Sequence, residues 1–362
     1  MLARPVPSVP GGQRYEPKWD GFRAIVFRDR DEVVIGSRNE RVLTRYFPEL
    51  VAAIRTSLPS RCVVDGEIVV TGPESGALDF WALQQRIHPA DSRVRMLAEA
   101  TPASLVAFDL LALDDDDLMQ RPFTERRAAL ERALSAPAPS IHVTPITDDE
   151  ALARRWFDEF EGAGLDGLIA KRGDLAYQPG KRVMSKVKHV RTADCVVAGY
   201  RVHRTAGDAV GSLLLGLYDD ADPADSVVPG VMRGGAEGPA LVPVGVVGAF
   251  PMARRRELMA ELQTLVTDSA AHPWSWAEEE VAARKRRGEG TRWSRDKDLS
   301  FVPLRPERVV EVRYDYMDGF RFRHTAQFVR WRPDREPRSC GYAQLDVPVP
   351  IDLAAVLAGR VT

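Results

Sequence analysis

The sequence predicts an α+β chain, with a mixed-sheet domain over residues 1–191 followed by a small β-barrel domain over residues 192–362. Three observations carry this expectation. Up to about residue 190, short apolar or alternating segments interleave with amphipathic helical ones. Beyond Arg191 strand-like segments dominate around one helical segment. The length, 362 residues, is enough for two or three domains with their own cores.

Residues 22–28 and 32–36 alternate around a charged turn and predict a hairpin. Residues 48–57 read as a short amphipathic helix. Residues 62–70 and 104–111 are apolar and rich in β-branched side chains, as buried strands are. Residues 125–134 and 150–160 read as helices on the surface of that sheet, and 166–171 and 182–189 as two further strands. The acidic run at 114–117 reads as a solvated turn. In the second half, strands are expected at 195–202, 212–218, 241–249, 308–314 and 323–331, with a helix at about 253–265. Strands in this number around one helix fit a Greek-key barrel such as the OB-fold. A long polar stretch, 272–298, interrupts them with Arg284, Lys285, Arg286 and Arg287 and the aromatics Trp274, Trp276 and Trp293. Basic residues interleaved with aromatics suit a nucleic-acid backbone, and a solvated loop suits the stretch equally well.

Composition excludes several classes. Hydrophobic residues are 44% and charged residues 28%, with no apolar run of membrane-spanning length and no signal-peptide layout. The three cysteines, Cys62, Cys195 and Cys340, are dispersed, which argues against a disulfide framework or a zinc site and for a reducing cytoplasm. Net charge is −2, but residues 1–180 carry 22 basic against 28 acidic side chains and residues 181–362 carry 28 against 24. The basic second half hints at a polyanionic partner.

The densest chemistry lies in Glu16-Pro17-Lys18-Trp19-Asp20-Gly21-Phe22-Arg23. A lysine amine attacks phosphorus once its proton is removed and the phosphate charge is neutralised. Further along stand Ser37-Arg38-Asn39, Val64-Asp65-Gly66-Glu67-Ile68, Ala107-Phe108-Asp109-Leu110, Asp166-Gly167-Leu168-Ile169-Ala170-Lys171, Lys186-Val187-Lys188 and Arg332-Pro333-Asp334-Arg335. Lys186 and Lys188 alternate along a strand, so both ammonium groups share one face and repel unless an anion lies between them.

Taken in order, these strings resemble the covalent nucleotidyltransferases: ATP-dependent DNA ligases, RNA ligases and mRNA capping enzymes. Residues 15–23, 36–50, 78–95, 181–203 and 301–339 are similar to the LigC-type ATP-dependent DNA ligases of actinobacteria. The resemblance implies a nucleotidyltransferase (adenylation) domain followed by an OB-fold domain. It implies ATP as cofactor, with Lys18 forming a lysyl–AMP intermediate. Glu16, Pro17, Arg23, Arg38, Glu67, Phe108, Lys186 and Lys188 are then expected around ATP or AMP, with Glu16 at the adenine, Phe108 stacked on the purine, and Arg23 and Arg38 on phosphate. Glu67 and Asp166 are expected to hold magnesium or manganese; the family has glutamate where Asp166 stands. Arg332, Asp334 and Arg335 are expected to orient the departing pyrophosphate, with arginine replacing the family's lysine at 335.

The implied activity is sealing of 5′-phosphate/3′-hydroxyl breaks in DNA. An RNA ligase, a GTP-using capping enzyme and a catalytically silent nucleic-acid-binding protein stand as alternatives. Only 17 residues precede Lys18, too few for a separate N-terminal DNA-binding domain, so basic surfaces of the two domains are expected to grip nicked or broken duplex DNA. The resemblance implies repair proteins as partners, no membrane, and a monomer. The last motif is on the barrel and Lys18 on the larger domain, so a hinge is expected near residues 191–194.

Overall fold

A computed structural model describes residues 1–72, 76–222, 226, 228, 239–276, 300–346, 349 and 351–358. The chain divides into two compact units, Met1–Lys188 with Pro348–Thr362, and His189–Val347.

The first unit holds strands β1 (Leu2–Pro5), β2 (Arg14–Pro17), β3 (Phe22–Asp29) and β4 (Glu32–Ser37), helix α1 (Pro48–Ser57) and β5 (Arg61–Val70). Helices α2 (Phe80–Gln85) and α3 (Asp91–Ala100) follow, then β6 (Ala103–Leu113), β7 (Asp116–Asp117), α4 (Phe123–Ala133) and β8 (Ile141–Val143). Helix α5 (Glu150–Glu159), β9 (Leu168–Lys171) and β10 (Arg182–Val187) complete the series. The helix starts have local causes: Pro48 occupies the first turn of α1, and the Asp79 and Asp149 carboxylates cap α2 and α5.

One sheet runs β4-β3-β5-β6-β7, with β8 parallel to β6; the other runs β1-β10-β9-β2. Leu50 and Ile54 of α1, one turn apart, pack on one face of the first sheet with Val26, Val64 and Leu105. Between the sheets, Val69 and Val106 meet Tyr15, Leu168, Ala170 and Trp156. This core fixes the distance between the strands that carry Lys18 and those that carry Glu67 and Phe108.

The second unit contains β11 (Arg191–His203), β12 (Ala206–Asp219), β13 (Ala240–Val247), α6 (Met252–Leu262), β14 (Val302–Tyr314), the short pair β15 (Met317–Asp318) and β16 (Arg321–Phe322), and β17 (Gln327–Trp331). Five strands form an antiparallel sheet in the order β13-β12-β11-β14-β17. A bridge between Val247 and Ala326 joins its two edges and curls it into a barrel of OB type.

Three expectations change. The hinge expected at 191–194 lies inside the barrel: Arg191, Thr192, Ala193 and Asp194 are in register with Tyr314, Arg313, Val312 and Glu311. The crossing between units falls at Lys188–His189 instead. The last segment, assigned to the second domain from the sequence, belongs to the first, where helix α7 (Leu353–Leu357) buries Leu353 and Val356 with Trp156 and Phe160. Trp274 lies neither on a nucleic-acid-facing stretch nor on a solvated loop: it is 4% exposed in the barrel core, and its indole donates to the Leu241 carbonyl. Trp276 packs against the same core. Arg284, Lys285, Arg286, Arg287 and Trp293 lie outside the described residues. Among the described residues, no helix is long and apolar enough to cross a membrane.

Candidate active site

Lys18 directly follows β2, and backbone bonds set its place. Its N–H donates to the Gly167 carbonyl at 2.8 Å, and the Asp166 N–H donates back to the Lys18 carbonyl at 3.0 Å. This reciprocal pair fixes the two loops against each other. Lys18 Nζ consequently lies 2.6 Å from Asp166 Oδ2, and Lys188 Nζ lies 2.8 Å from the same oxygen. Trp19 fastens the next residue by donating its indole N–H to Thr144 Oγ1 at 2.8 Å. Gly21 is required by close approach: a Cβ there would sit 2.1 Å from the Ile68 carbonyl oxygen. That approach lets β3 lie on β5 with Arg23 in register with Glu67.

These residues surround a cleft of about 280 Å³. It brings together Glu16, Pro17, Lys18, Arg23, Arg38, Glu67, Phe108 and Lys186, from separate stretches of the sequence. Asp166 and Lys188 do not line it; Asp166 joins it through its ion pair with Lys18.

The ionic partners refine the expected roles. Arg23 donates Nε to Asp65 Oδ1 at 2.9 Å and Nη2 to Asp65 Oδ2, and Nη1 to the Met1 carbonyl at 2.6 Å. Tyr177 Oη donates to the same Asp65 at 2.8 Å. Much of the Arg23 fork therefore serves the protein rather than a free anion site. Phe108 lies under two cations, Arg23 at 5.3 Å and Lys171 Nζ at 4.9 Å from the ring centroid. Glu16 is buried and pairs with Lys171 at 2.7 Å, with Arg127 at 3.7 Å. Its Oε1 accepts no hydrogen bond among the described residues.

Burial pushes the Glu16 carboxyl up, against the pull of Lys171 and Arg127. Burial likewise pushes Glu67 up to about 8, although Lys18 and Arg23 oppose it. Burial alone would also raise Asp166, but Lys18 and Lys188 outweigh it and hold Asp166 below the usual carboxylate range. Among the described residues, no group of three His, Cys, Asp or Glu side chains could hold a metal ion by itself. The donors instead suit a hard cation held by one or two carboxylates and completed by phosphate and water. Glu67 fits that part, since a divalent cation would supply the compensating charge its buried carboxylate lacks. Asp166 fits less well, because both of its lysine partners crowd Oδ2.

In the barrel unit, Arg332 follows β17 and is clamped between two carboxylates. Nη1 lies 2.9 Å from Asp194 Oδ2, and Nη2 lies 2.9 Å from Asp334 Oδ2. The hydrogen bond from Arg332 holds Asp334 down to about 2. Arg335 Nε is 3.6 Å from Asp194, so that carboxylate serves both arginines.

Sequence reasoning missed Asp65, Tyr177, Arg127 and Asp194 as partners, and Arg182 as a residue of the cleft. Arg182 carried a usable signal: it stands four residues before Lys186 on β10, on the face that period two assigns to both lysines. The others carried none, because their contacts arise from tertiary packing: Arg127 reaches Glu16 from helix α4, and Tyr177 reaches Asp65 from a loop.

Comparison with known proteins agrees along the chain. A family model described as "ATP dependent DNA ligase domain" matches residues 1–188, and one described as "ATP dependent DNA ligase C terminal region" matches residues 206–335. DNA ligase C of Mycobacterium tuberculosis is 62% identical, over 99% of this chain and 96% of its own length. DNA ligase C2 of Mycolicibacterium smegmatis is 64% identical, over 96% of this chain and 94% of its own. Among solved structures, one from a study of Lig E DNA ligases covers 91% of this chain and 98% of its own at a TM-score of 0.51. Its identity is 15%, so that likeness speaks to the fold alone.

Proposed function

The chain belongs to the ATP-dependent DNA ligases, and we propose that it seals 5′-phosphate/3′-hydroxyl breaks in duplex DNA through a lysyl–AMP intermediate on Lys18. The observation that carries this reading is Lys18 at the wall of a cleft that also gathers Glu67, Arg38 and Lys186. In the first step the neutral Nζ attacks the α-phosphorus of ATP. A P–N bond forms, the bond to the bridging oxygen breaks, pyrophosphate leaves, and the Nζ proton is lost to solvent.

The 2.6 Å ion pair with Asp166 Oδ2 fixes Lys18 Nζ in place. Lys186 and Lys188 are assigned to screening the charge of the α-phosphate. Magnesium or manganese held by Glu67, with Asp166 as a weaker second ligand, would neutralise phosphate charge when bound. Arg38 is assigned to phosphate, and Arg23, held by Asp65, to the cation–π contact that steadies Phe108, on which the purine stacks. Arg332, Asp334 and Arg335 are assigned to the departing pyrophosphate. AMP then passes to the 5′-phosphate at the break, and the 3′-hydroxyl displaces it.

Glu16 supports adenine over guanine. Its buried Oε1 lacks a donor, and the exocyclic amine of adenine supplies one, whereas guanine presents a carbonyl oxygen there. We also assign nicked duplex DNA as a salt-sensitive partner, repair proteins as accessory partners, a monomeric state and a cytoplasmic location.

The test uses α-labelled ATP with magnesium or manganese, followed by a denaturing gel. Label that survives denaturation is expected on the wild type and absent from Lys18→Ala. Equal labelling of that variant would remove Lys18 from its role. Running GTP beside ATP, and nicked RNA beside nicked DNA, checks nucleotide and substrate; preference for GTP or RNA would overturn the assignment.

A further inference from the structure

Strand β1 touches the nucleotide cleft in three ways. Leu2 and Ala3 line it. The Met1 carbonyl accepts from Arg23 Nη1 at 2.6 Å. β1 also runs parallel to β10, with Pro5 in register with Lys186, and the Val6 N–H donates to the Lys186 carbonyl at 3.0 Å. β9 lies on the other side of β10, so β1 is the neighbour that keeps the lysine-bearing strand from being a sheet edge. An edge strand is free to bulge or slip, and a slip of one residue turns every side chain to the opposite face. For β10 that would take Lys186 out of the cleft.

Resting on the proposed role of the cleft in binding ATP, we infer that β1 and Val6 are a positioning element for adenylyl transfer. They hold the Lys186 strand in register and supply one wall of the ATP cleft, and the preceding Met1 carbonyl holds Arg23. Val6 acts through its backbone N–H and is a positioning residue, not a catalytic one. This brings the start of the chain to the nucleotide site, with Leu2 and Ala3 on its wall and Met1 and Val6 holding its residues from behind.

Val6→Pro removes the N–H and leaves the rest of the strand in place. Val6→Ala keeps the N–H and serves as the conservative control. ATP affinity is measured in a Lys18→Ala background, so that no adduct forms, and lysyl–AMP formation is followed in the parent chain against ATP concentration. Val6→Pro is expected to weaken ATP binding about tenfold, the worth of the charge-assisted hydrogen bond to phosphate that Lys186 loses when its strand slips, while Val6→Ala binds as the parent does. The half-saturating ATP concentration for adduct formation should rise in step, and the limiting rate should fall as well, because Lys186 also screens the α-phosphate.

Ala3→Leu provides a second arm that alters no backbone hydrogen bond: it pushes three carbons toward the cleft and should also weaken ATP binding. The inference is overturned if both Val6→Pro and Ala3→Leu bind ATP as the parent does. It is equally overturned if Val6→Pro lowers the limiting rate and melting temperature without changing ATP affinity, the mark of a merely structural strand. Affinity in the Lys18→Ala background does not depend on which residue is adenylylated, so failure here and failure of the Lys18 assignment are separable.

Discussion

Glu67 is a carboxylic acid placed where its neutral form is favoured, and this has a measurable sign. Its folded-state value is about 8 against an ordinary 4.5, so between those pH values the native chain holds a proton that the unfolded chain has lost. Stability from this group therefore falls as pH rises from about 4.5 to about 8. Asp166 runs the other way: its value is depressed, so its contribution is complete above the ordinary carboxylate range and is lost as pH falls through the lowered value. Glu67→Gln is expected to flatten the decline between pH 4.5 and 8, read from thermal melts without divalent metal. Parallel curves for the variant and the wild type would show that Glu67 does not titrate in this window. At this scale the sequence made the cleft residues legible through motif order and strand alternation. It did not reveal who pairs with whom: Arg23 finds Asp65 in β5, and Glu16 finds Lys171 in β9, because antiparallel registers set those rows.

The elements repeat the pattern. Long periodic ones were legible: α1 spans the expected residues, and the β3–β4 hairpin differs only at its ends. β1 was not, since a four-residue strand ending in proline shows no alternation to read. The return of the chain to the first unit was equally silent, because α7 is five residues long and its partners lie some two hundred residues earlier. Its docking depends on Gly162, where a Cβ would sit 1.7 Å from the Val349 carbonyl oxygen. Gly162→Ala should displace that crossing and lower the melting temperature. Leu353→Ala removes a fully buried side chain and should cost about 2–5 kcal/mol if the segment stays docked, less if it detaches. Hydrogen exchange distinguishes these results: detachment removes protection at Ala355, Val356 and Ala358, whose N–H groups are bonded within the docked segment. Unchanged melting in both variants would mean that α7 contributes little to the first unit.

At the scale of the whole molecule, the chain passes between units twice, at 188–189 and at 347–348. Because Arg191 already pairs with Tyr314, any joint in the first crossing is confined to the few residues before it. The proposed chemistry divides along the same line, with Lys18 in one unit and Arg332 in the other. A role for Arg332 on pyrophosphate concerns only the step in which ATP is consumed. Sealing a nick that already carries AMP on its 5′-phosphate neither uses ATP nor releases pyrophosphate. Arg332→Ala is therefore expected to slow lysyl–AMP formation on the order of 10²-fold, as loss of one charge-stabilising donor does, while sealing of pre-adenylylated DNA stays near the wild-type rate. Local stability should fall as well, since the largely buried Asp194 loses two close hydrogen bonds and keeps only Arg335, at 3.6 Å; the step-specific kinetics separate this cost from a role on the leaving group. If both steps fall together, Arg332 acts on the barrel or on DNA rather than on the leaving group. If neither falls, the last motif has no part in the chemistry.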